Sequence, residues 1–176
     1  MRKYVTEFIG TFFLVLVVAL TGNALAIGAV LMVMVFAGGH ISGAHYNPAV
    51  TLAVLIRGKV SSTNAIIYIA VQIIAAAVAA LIARWYVGDL SVMTLELDGR
   101  ILKAFVSELL GTFALAYVVL NVATSKGTTG NSFYGLAIGF TVFAMASTFG
   151  SISGGAFNPA VAIGATIIEA FAFKNI

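Results

Sequence analysis

Two short segments of the chain carry residue types that could line a passage for an uncharged molecule. They are Ile41-Ser-Gly-Ala-His-Tyr-Asn-Pro-Ala-Val50 and Ile152-Ser-Gly-Gly-Ala-Phe-Asn-Pro-Ala-Val161, which are identical at seven of ten positions. The chain has two prolines, and they occupy the same place in the two segments. Asparagine is a favoured helix N-cap and proline suits the first helical position. The triplets therefore predict two helix starts, at Asn47, Pro48 and Ala49 and at Asn158, Pro159 and Ala160.

The chemistry available to these two asparagines is hydrogen-bond donation at a helix end. A capping asparagine uses its side-chain oxygen, which leaves its amide N–H groups free to face a lumen. Two such helices meeting head to head would place paired donors beside two positive helix ends. Such a site orients the oxygen of a passing water or hydroxyl and repels a cation. An ordinary capped helix is the alternative, but two copies in matched repeats favour a pore.

The composition indicates an integral membrane protein. The chain is 61% hydrophobic and 9% charged, with a mean hydropathy of +1.10, whereas soluble domains carry about 25% charged residues. It lacks the alternating ten-residue segments of an outer-membrane barrel. The net charge of +3 is scattered over segment ends, so we expect no nucleic-acid binding. With no cysteine, disulfide and thiol chemistry are excluded.

The apolar runs predict five membrane spans and two re-entrant half-helices. We expect spans over residues 4–21, 24–37, 63–84, 101–123 and 132–149, and half-helices over 47–55 and 158–168. The span lengths suit a hydrocarbon core that needs about 20 residues. A further set of glycines suits a backbone that must turn without bulk: Gly38, Gly39, Gly43, Gly150, Gly154 and Gly155.

A second internal match defines the domain organisation. The segment Thr6-Glu-Phe-Ile-Gly-Thr-Phe-Phe-Leu-Val-Leu-Val-Val18 matches residues 107–119 at seven of thirteen positions. An odd number of spans per repeat gives inverted repeats, a known transport architecture. We expect a first repeat over 1–86, a water-exposed connecting loop over 87–100 and a second repeat over 101–176. The span that would complete the second repeat is missing from these residues, so we expect one pore wall to be open to lipid or to a neighbour.

Glu7 and Glu108 occupy equivalent positions in this second match. Ionisable groups within spans are costly and mark function by default. We expect each carboxylate to accept hydrogen bonds from backbone N–H groups of the loop before a half-helix. Proton relay in a coupled carrier is the alternative. Gly10 and Gly111, three residues further on, permit close helix approach.

His40 and His45 flank the first of these loops. Two histidines could indicate a metal site, but no cysteine or carboxylate accompanies them, and the second repeat has Ser151 and Ala156 instead. We therefore expect no metal and interpret them as hydrogen-bonded loop histidines at the inner pore mouth. No nucleophile–base pair, phosphate loop or cofactor fingerprint is present, so neither an enzyme nor a cofactor is expected.

The segment from Gly39 to Thr51 resembles the first signature of the aquaporin family, also called major intrinsic proteins. Glu7 and Glu108 are similar to the paired buried glutamates of that family, and the resemblance covers nearly the whole chain. It implies an all-α membrane protein, a right-handed helical bundle with inverted repeats and two re-entrant half-helices. It also implies one pore per protomer, a homotetramer, and passive transport of water or small uncharged solutes.

The resemblance further implies a narrow outer filter. By ungapped spacing its four positions are Ile27, Ala146, Gly155 and Val161. Val161 stands where the family usually has an arginine, and Ala162 stands where glycerol-facilitating members usually have an aspartate. Because none of the four is charged or aromatic, we expect a constriction wider and more apolar than a water-selective one.

Three functions compete at this point. The first is a passive channel for water or small neutral solutes that excludes protons at the paired asparagines. The second is a non-conducting membrane scaffold, suggested by the missing span, and the third is a proton-coupled carrier that uses Glu7 and Glu108. We expect a multi-pass protein of the plasma or inner membrane, in contact with lipid, with a cytoplasmic N-terminus. Five of nine cations would then lie inside: Arg2, Lys3, Arg57, Lys59 and Lys126.

Overall fold

The computed structural model describes residues 1–88 and 99–172 of the chain, without the side chains of residues 168–172. Within these ranges the chain forms helices and no strand, which confirms the predicted all-α fold. The helices are α1 (Arg2–Thr21), α2 (Ala24–Ser42), α3 (Pro48–Ile56), α4 (Ser62–Val87), α5 (Ile101–Thr124), α6 (Tyr134–Ser153) and α7 (Pro159–Ala172). Five of them, α1, α2, α4, α5 and α6, are long and apolar enough to cross a membrane.

Local chemistry sets the helix ends. The Asn23 side chain accepts the Ala26 N–H at 3.0 Å and so caps α2. Helices α1, α2 and α6 end at glycines with left-handed φ angles, which are 57° at Gly22, 89° at Gly43 and 86° at Gly154. Glycine adopts this conformation without steric cost, so the chain reverses at these positions.

Two of the predicted spans are too short. Helix α2 continues to Ser42 rather than ending at residue 37, and α6 continues to Ser153 rather than ending at residue 149. Gly38 lies inside α2 because its missing side chain makes room for the Tyr46 hydroxyl and the Thr6 methyl group. Gly38 therefore serves packing rather than turning. The two helices end several residues later than predicted, at Ser42 and Ser153.

The helices pack as two interlocked halves. Helix α1 packs against α2 and α4, α2 packs against α6, and α5 packs against α6. Helices α2 and α6 approach most closely at Gly28 and Gly139, where a Cβ on Gly28 would lie 2.6 Å from the Gly139 carbonyl oxygen. The two half-helices α3 and α7 contact each other between these pairs, and α7 also packs on α4.

Helix α4 packs against α1 and α7 through small side chains. Five alanines on one face of α4 are fully buried: Ala75, Ala76, Ala79, Ala80 and Ala83. Small residues let helix backbones approach closely, which is the usual means of packing helices in lipid. The domain division at 86 and 101 stays a prediction, and residues 89–98 of the connecting loop lie outside the described residues.

Candidate functional site

The half-helices α3 and α7 meet at their N-termini, where the two predicted asparagines cap them. The Asn47 side-chain oxygen accepts the Ala49 N–H at 2.8 Å, and the Asn158 oxygen accepts the Ala160 N–H at 3.0 Å. Pro48 and Pro159 follow as the first helical residues. Both asparagines are nearly buried, with exposures of 3% and 6%. Two positive helix ends thus converge on one point in the protein.

Each asparagine amide also ties the two halves together. Asn47 Nδ2 donates to the Phe157 carbonyl at 2.9 Å, and Asn158 Nδ2 donates to the Tyr46 carbonyl at 3.0 Å. The expectation that both N–H groups of each amide are free was therefore wrong. One N–H per amide holds the opposite loop, and the second is bonded to none of the described residues.

Glu7 holds the loop that precedes α3. Its carboxylate accepts the backbone N–H groups of His45 at 3.0 Å and Tyr46 at 2.7 Å, together with the Ser42 hydroxyl at 2.6 Å. The Gln72 side chain donates to it as well, at 2.9 Å. Four donors surround a carboxylate with 0% exposure, an arrangement that suits the ionised form.

Glu108 repeats this arrangement in the second half with one partner fewer. It accepts the Ala156 N–H at 3.1 Å, the Phe157 N–H at 2.7 Å and the Ser153 hydroxyl at 2.6 Å. Glu108 is partly exposed, whereas Glu7 is covered by α4. The two carboxylates therefore anchor equivalent loops, with four and three donors among the described residues.

Sequence reasoning missed two aromatic residues that support the asparagines. Tyr46 and Phe157 directly precede Asn47 and Asn158, are 1% exposed, and have left-handed φ angles of 49° and 44°. A side chain at Gly10 would overlap the Tyr46 ring, and one at Gly111 would overlap the Phe157 ring. Gly10 and Gly111 thus admit an aromatic ring from a loop, rather than another helix as predicted. The signal was available, because both segments have an aromatic residue before Asn-Pro.

A cavity of about 30 Å³ lies around the asparagines, with room for about two water molecules. Its lining consists of eight pairs of residues at equivalent positions of the two repeats. The pairs are Leu14 and Leu115, Val18 and Val119, Ile27 and Ile138, Leu31 and Val142, Ala44 and Gly155, His45 and Ala156, Asn47 and Asn158, and Val50 and Val161. The cavity is therefore nearly two-fold symmetric in composition and mostly apolar, and none of the Asp, Glu, Lys or Arg side chains that the structure describes lines it.

Helix α4 contributes nothing to this lining in the part of the chain that the structure describes. The wall comes from α1, α2, α5, α6, the two half-helices and their loops. The expectation of a pore wall open to lipid or to a neighbour stays a prediction.

The carbonyl groups of the two loops supply further polarity. Ala44, His45, Gly155 and Ala156 line the cavity, and their carbonyl oxygens accept no hydrogen bond from the described residues. The carboxylates bind the N–H groups on the same segments, which leaves these oxygens available as acceptors. The arrangement can hold a small neutral molecule between loop acceptors and amide donors.

Three of the four predicted filter residues lie on the cavity wall. Ile27, Gly155 and Val161 line it, and Ala146 lies behind Gly155, where a Cβ would come within 3.6 Å of the Ala146 Cα. Their role as a filter stays a prediction.

The two histidines lie in different environments. His45 lines the cavity, and its Nδ1 lies 3.1 Å from the Thr51 hydroxyl. His40 is not a loop residue as predicted, because it lies on the last turn of α2, where it is exposed and bonded to none of the described residues. Among the residues that the structure describes, no group of three metal-ligating side chains occurs.

Comparisons with known proteins agree with this architecture. The sequence model of the family described as "Major intrinsic protein" matches residues 16–176. The chain is 40% identical to "Glycerol uptake facilitator protein-like 6" of Lactiplantibacillus plantarum, over 95% of this chain and 84% of that protein. It is 35% identical to "Aquaporin NIP3-1" of Arabidopsis thaliana, over 95% of this chain but 58% of the plant protein.

A solved structure has the same fold. The aquaglyceroporin from Plasmodium falciparum superposes with a TM-score of 0.80 at 23% identity, covering 98% of this chain and 82% of that one. At this identity the likeness concerns the fold alone.

Proposed function

This chain belongs to the major intrinsic protein family, and from that premise we propose that it forms a passive transmembrane channel for water and small uncharged solutes. The observation that carries the proposal is the symmetric cavity at the junction of α3 and α7. It places two amide donors between apolar side chains from four membrane-spanning helices. The relatives named for glycerol uptake and as aquaporins support the same solute class.

In this proposal the paired asparagines pass neutral molecules and reject protons. A water oxygen that accepts a hydrogen bond from each free amide N–H cannot at the same point accept a proton along the chain of waters. The two positive helix ends add an electrostatic barrier to any cation at this position. Neutral solutes meet no such barrier, and their hydroxyl or amino groups find acceptors on the loop carbonyls.

The test is osmotic shrinkage of liposomes that contain the purified chain, recorded by stopped-flow light scattering. We expect shrinkage much faster than in empty liposomes, and no block by mercurials, because the chain has no cysteine. The matched variants are Leu115→Trp, which fills the cavity, and Phe113→Trp, which changes an exposed position on the same helix. Loss of flux in Leu115→Trp alone would support the pore, and equal flux in both would contradict it.

The carrier alternative has weaker support. A relay carboxylate must exchange protons with the solute path, but Glu7 is bonded to four donors that position a loop. Removing its charge would first disturb that loop. Uphill solute uptake driven by a pH gradient would favour the carrier, and correct insertion without any flux would favour the scaffold.

The assembly and membrane position follow from the same proposal. We expect a homotetramer with one pore in each protomer, in the plasma or inner membrane, with the N-terminus in the cytoplasm. The faces available for assembly are apolar: Leu102, Phe105, Leu109, Phe113 and Tyr117 of α5 are all exposed in the single chain. Mass measurement of the detergent-solubilised protein tests the tetramer.

A further inference from the structure

The cavity lining breaks its own symmetry at one pair. In seven of the eight pairs both residues are apolar, or both are asparagine, but His45 faces the lumen where the second half has Ala156. His45 is 7% exposed, and its ring packs edge-on against Tyr68 with 5.1 Å between ring centroids. One end of the cavity therefore has a polar ring that the other end lacks.

A buried hydrogen-bond network holds this ring, and the described residues of the second half form no equivalent network. The Thr51 hydroxyl lies 3.1 Å from His45 Nδ1, and Gln72 Nε2 donates both to that hydroxyl at 3.0 Å and to Glu7 at 2.9 Å. The residue equivalent to Thr51 in the second repeat is Ala162. Imidazole, hydroxyl, amide and carboxylate thus occur together as one unit.

The hydrogen bonds of this network favour one tautomer of the ring, whose two nitrogens can each donate or accept. A threonine hydroxyl has one hydrogen and two acceptor positions. Thr51 Oγ1 lies 2.9 Å from the Asn47 carbonyl oxygen and 3.5 Å from Gln72 Oε1, so its hydrogen goes to the nearer Asn47 carbonyl, and one acceptor position takes the Gln72 N–H. The remaining position requires a hydrogen from Nδ1. The Glu7 carboxylate reaches this nitrogen through Gln72 and the Thr51 hydroxyl, in a chain of hydrogen bonds that a proton on Nδ1 completes.

We propose that Thr51 and Gln72 are positioning residues that hold His45 in its Nδ1–H tautomer, so that the Nε2 lone pair faces the lumen as a hydrogen-bond acceptor. His45 is then a specificity-determining residue for solutes that donate hydrogen bonds. This role in selection rests on the proposed channel function, whereas the tautomer itself does not.

The tautomer can be measured by nitrogen NMR of the protein labelled with ¹⁵N-histidine in lipid. The chain has two histidines, so in the His40→Asn variant every histidine signal comes from His45. We expect a protonated Nδ1 and an unprotonated Nε2. Thr51→Ser keeps the hydroxyl and preserves this pattern, whereas Thr51→Val removes the acceptor and moves the proton to Nε2. An unprotonated Nδ1 in the parent protein would overturn the proposal.

The transport measurement uses urea as the donating solute, in the same liposomes and against the same empty-liposome background. A lumen-facing N–H in Thr51→Val leaves a urea N–H unpaired, which lowers urea permeability about tenfold. Thr51→Ser retains most of the parent urea permeability. A parent that passes neither water nor urea overturns the channel function while the NMR result still decides the tautomer. Unchanged urea flux in Thr51→Val overturns the role in selection.

Discussion

In the proposed channel, charge discrimination depends on the two amides of Asn47 and Asn158. Asn47 and Asn158 each direct one N–H toward the cavity beside a positive helix end. Aspartate also caps helices, so the double variant Asn47→Asp with Asn158→Asp should keep both half-helix starts. Two carboxylates at this point reverse the sign of the barrier, and we expect cation conductance to rise at least about tenfold, since 1.4 kcal/mol suffices for that.

The control for this variant is Asn23→Asp, which makes the same substitution at the exposed N-cap of α2. Conductance is measured in planar bilayers at equal protein content. Conductance equal to that of the parent in the double variant would remove the amides from the proton-exclusion mechanism.

Val161 tests whether the apolar outer positions select solutes. Its side chain lies on the cavity wall, 6% exposed. An arginine introduced by Val161→Arg adds bulk and five N–H donors, so it should reduce urea flux more than water flux. Flux of both solutes is measured in the same liposome preparation. An equal fractional loss of water and urea flux would show that this position blocks the pore without selecting.

At the residue scale, the sequence predicts groups that are repeated but not groups that act once. Asn47 and Asn158 were found because a rare triplet occurs twice in an apolar chain. Gln72 was missed because its partners, Glu7 and Thr51, are distant from it in sequence. The described residues of the second half also contain no equivalent of Gln72 that would have made it a repeated feature. Its only signal was an uncharged polar residue in the middle of an apolar span.

At the element scale, α1 and α5 each depend on one glycine to accept an aromatic ring from a loop. Replacing Gly10 or Gly111 by alanine forces a methyl group into the Tyr46 or Phe157 ring. Overpacking of this kind costs about 1–3 kcal/mol. We expect both variants to lower the free energy of unfolding, measured by denaturant titration in detergent.

The control for these variants is Gly150→Ala, because nothing lies within 4 Å of a Cβ at that position of α6. It should be neutral or slightly stabilising, since alanine is the better helix former. Equal loss of stability in all three variants would mean that helix backbone effects, and not the rings, decide the outcome.

The starts of the elements were more predictable than some of their ends. Helices α3 and α7 begin within one residue of the predicted position, because N-capping is a local interaction. Helices α2 and α6 extend beyond the prediction. In α2 the reason is that Gly38 packs against Tyr46 and Thr6, which lie on other segments. Local patterns predict caps, but the conformation of a glycine is decided by what packs against it.

At the scale of the whole molecule, the internal repeat explains both the cavity and its one asymmetry. Each half contributes equivalent residues to the cavity. They come from two spans, the loop before the half-helix, the capping asparagine and the half-helix itself. The repeat could be predicted from the sequence. The residues that line the cavity could not, since periodicity cannot tell which face of an all-apolar helix meets the lumen. Among the described residues, the first half differs at His45 and Thr51, which stand where the second half has Ala156 and Ala162.

We expect the orientation of the molecule to follow from the cations on the face that carries its N-terminus. The N-terminus lies beside the α3–α4 turn, because Lys3 and Tyr4 both donate to Asn64 at 2.9 Å. This face carries Arg2, Lys3, Arg57, Lys59 and Lys126, and none of the acidic residues that the structure describes lies on it. Cations in short loops favour the cytoplasmic side, so this face should be cytoplasmic.

A chain without cysteine allows that orientation to be tested directly by introducing one cysteine at a time. Thr21→Cys and Thr129→Cys change exposed threonines at opposite faces and leave every cation in place. A membrane-impermeant maleimide should label Thr21→Cys in intact cells, and Thr129→Cys only after the membrane is permeabilised. The reverse pattern would place the basic face outside, and labelling of both in intact cells would indicate mixed insertion. A single orientation fixes which membrane side the His45 end of the cavity faces, and hence the side from which a donating solute first meets the imidazole.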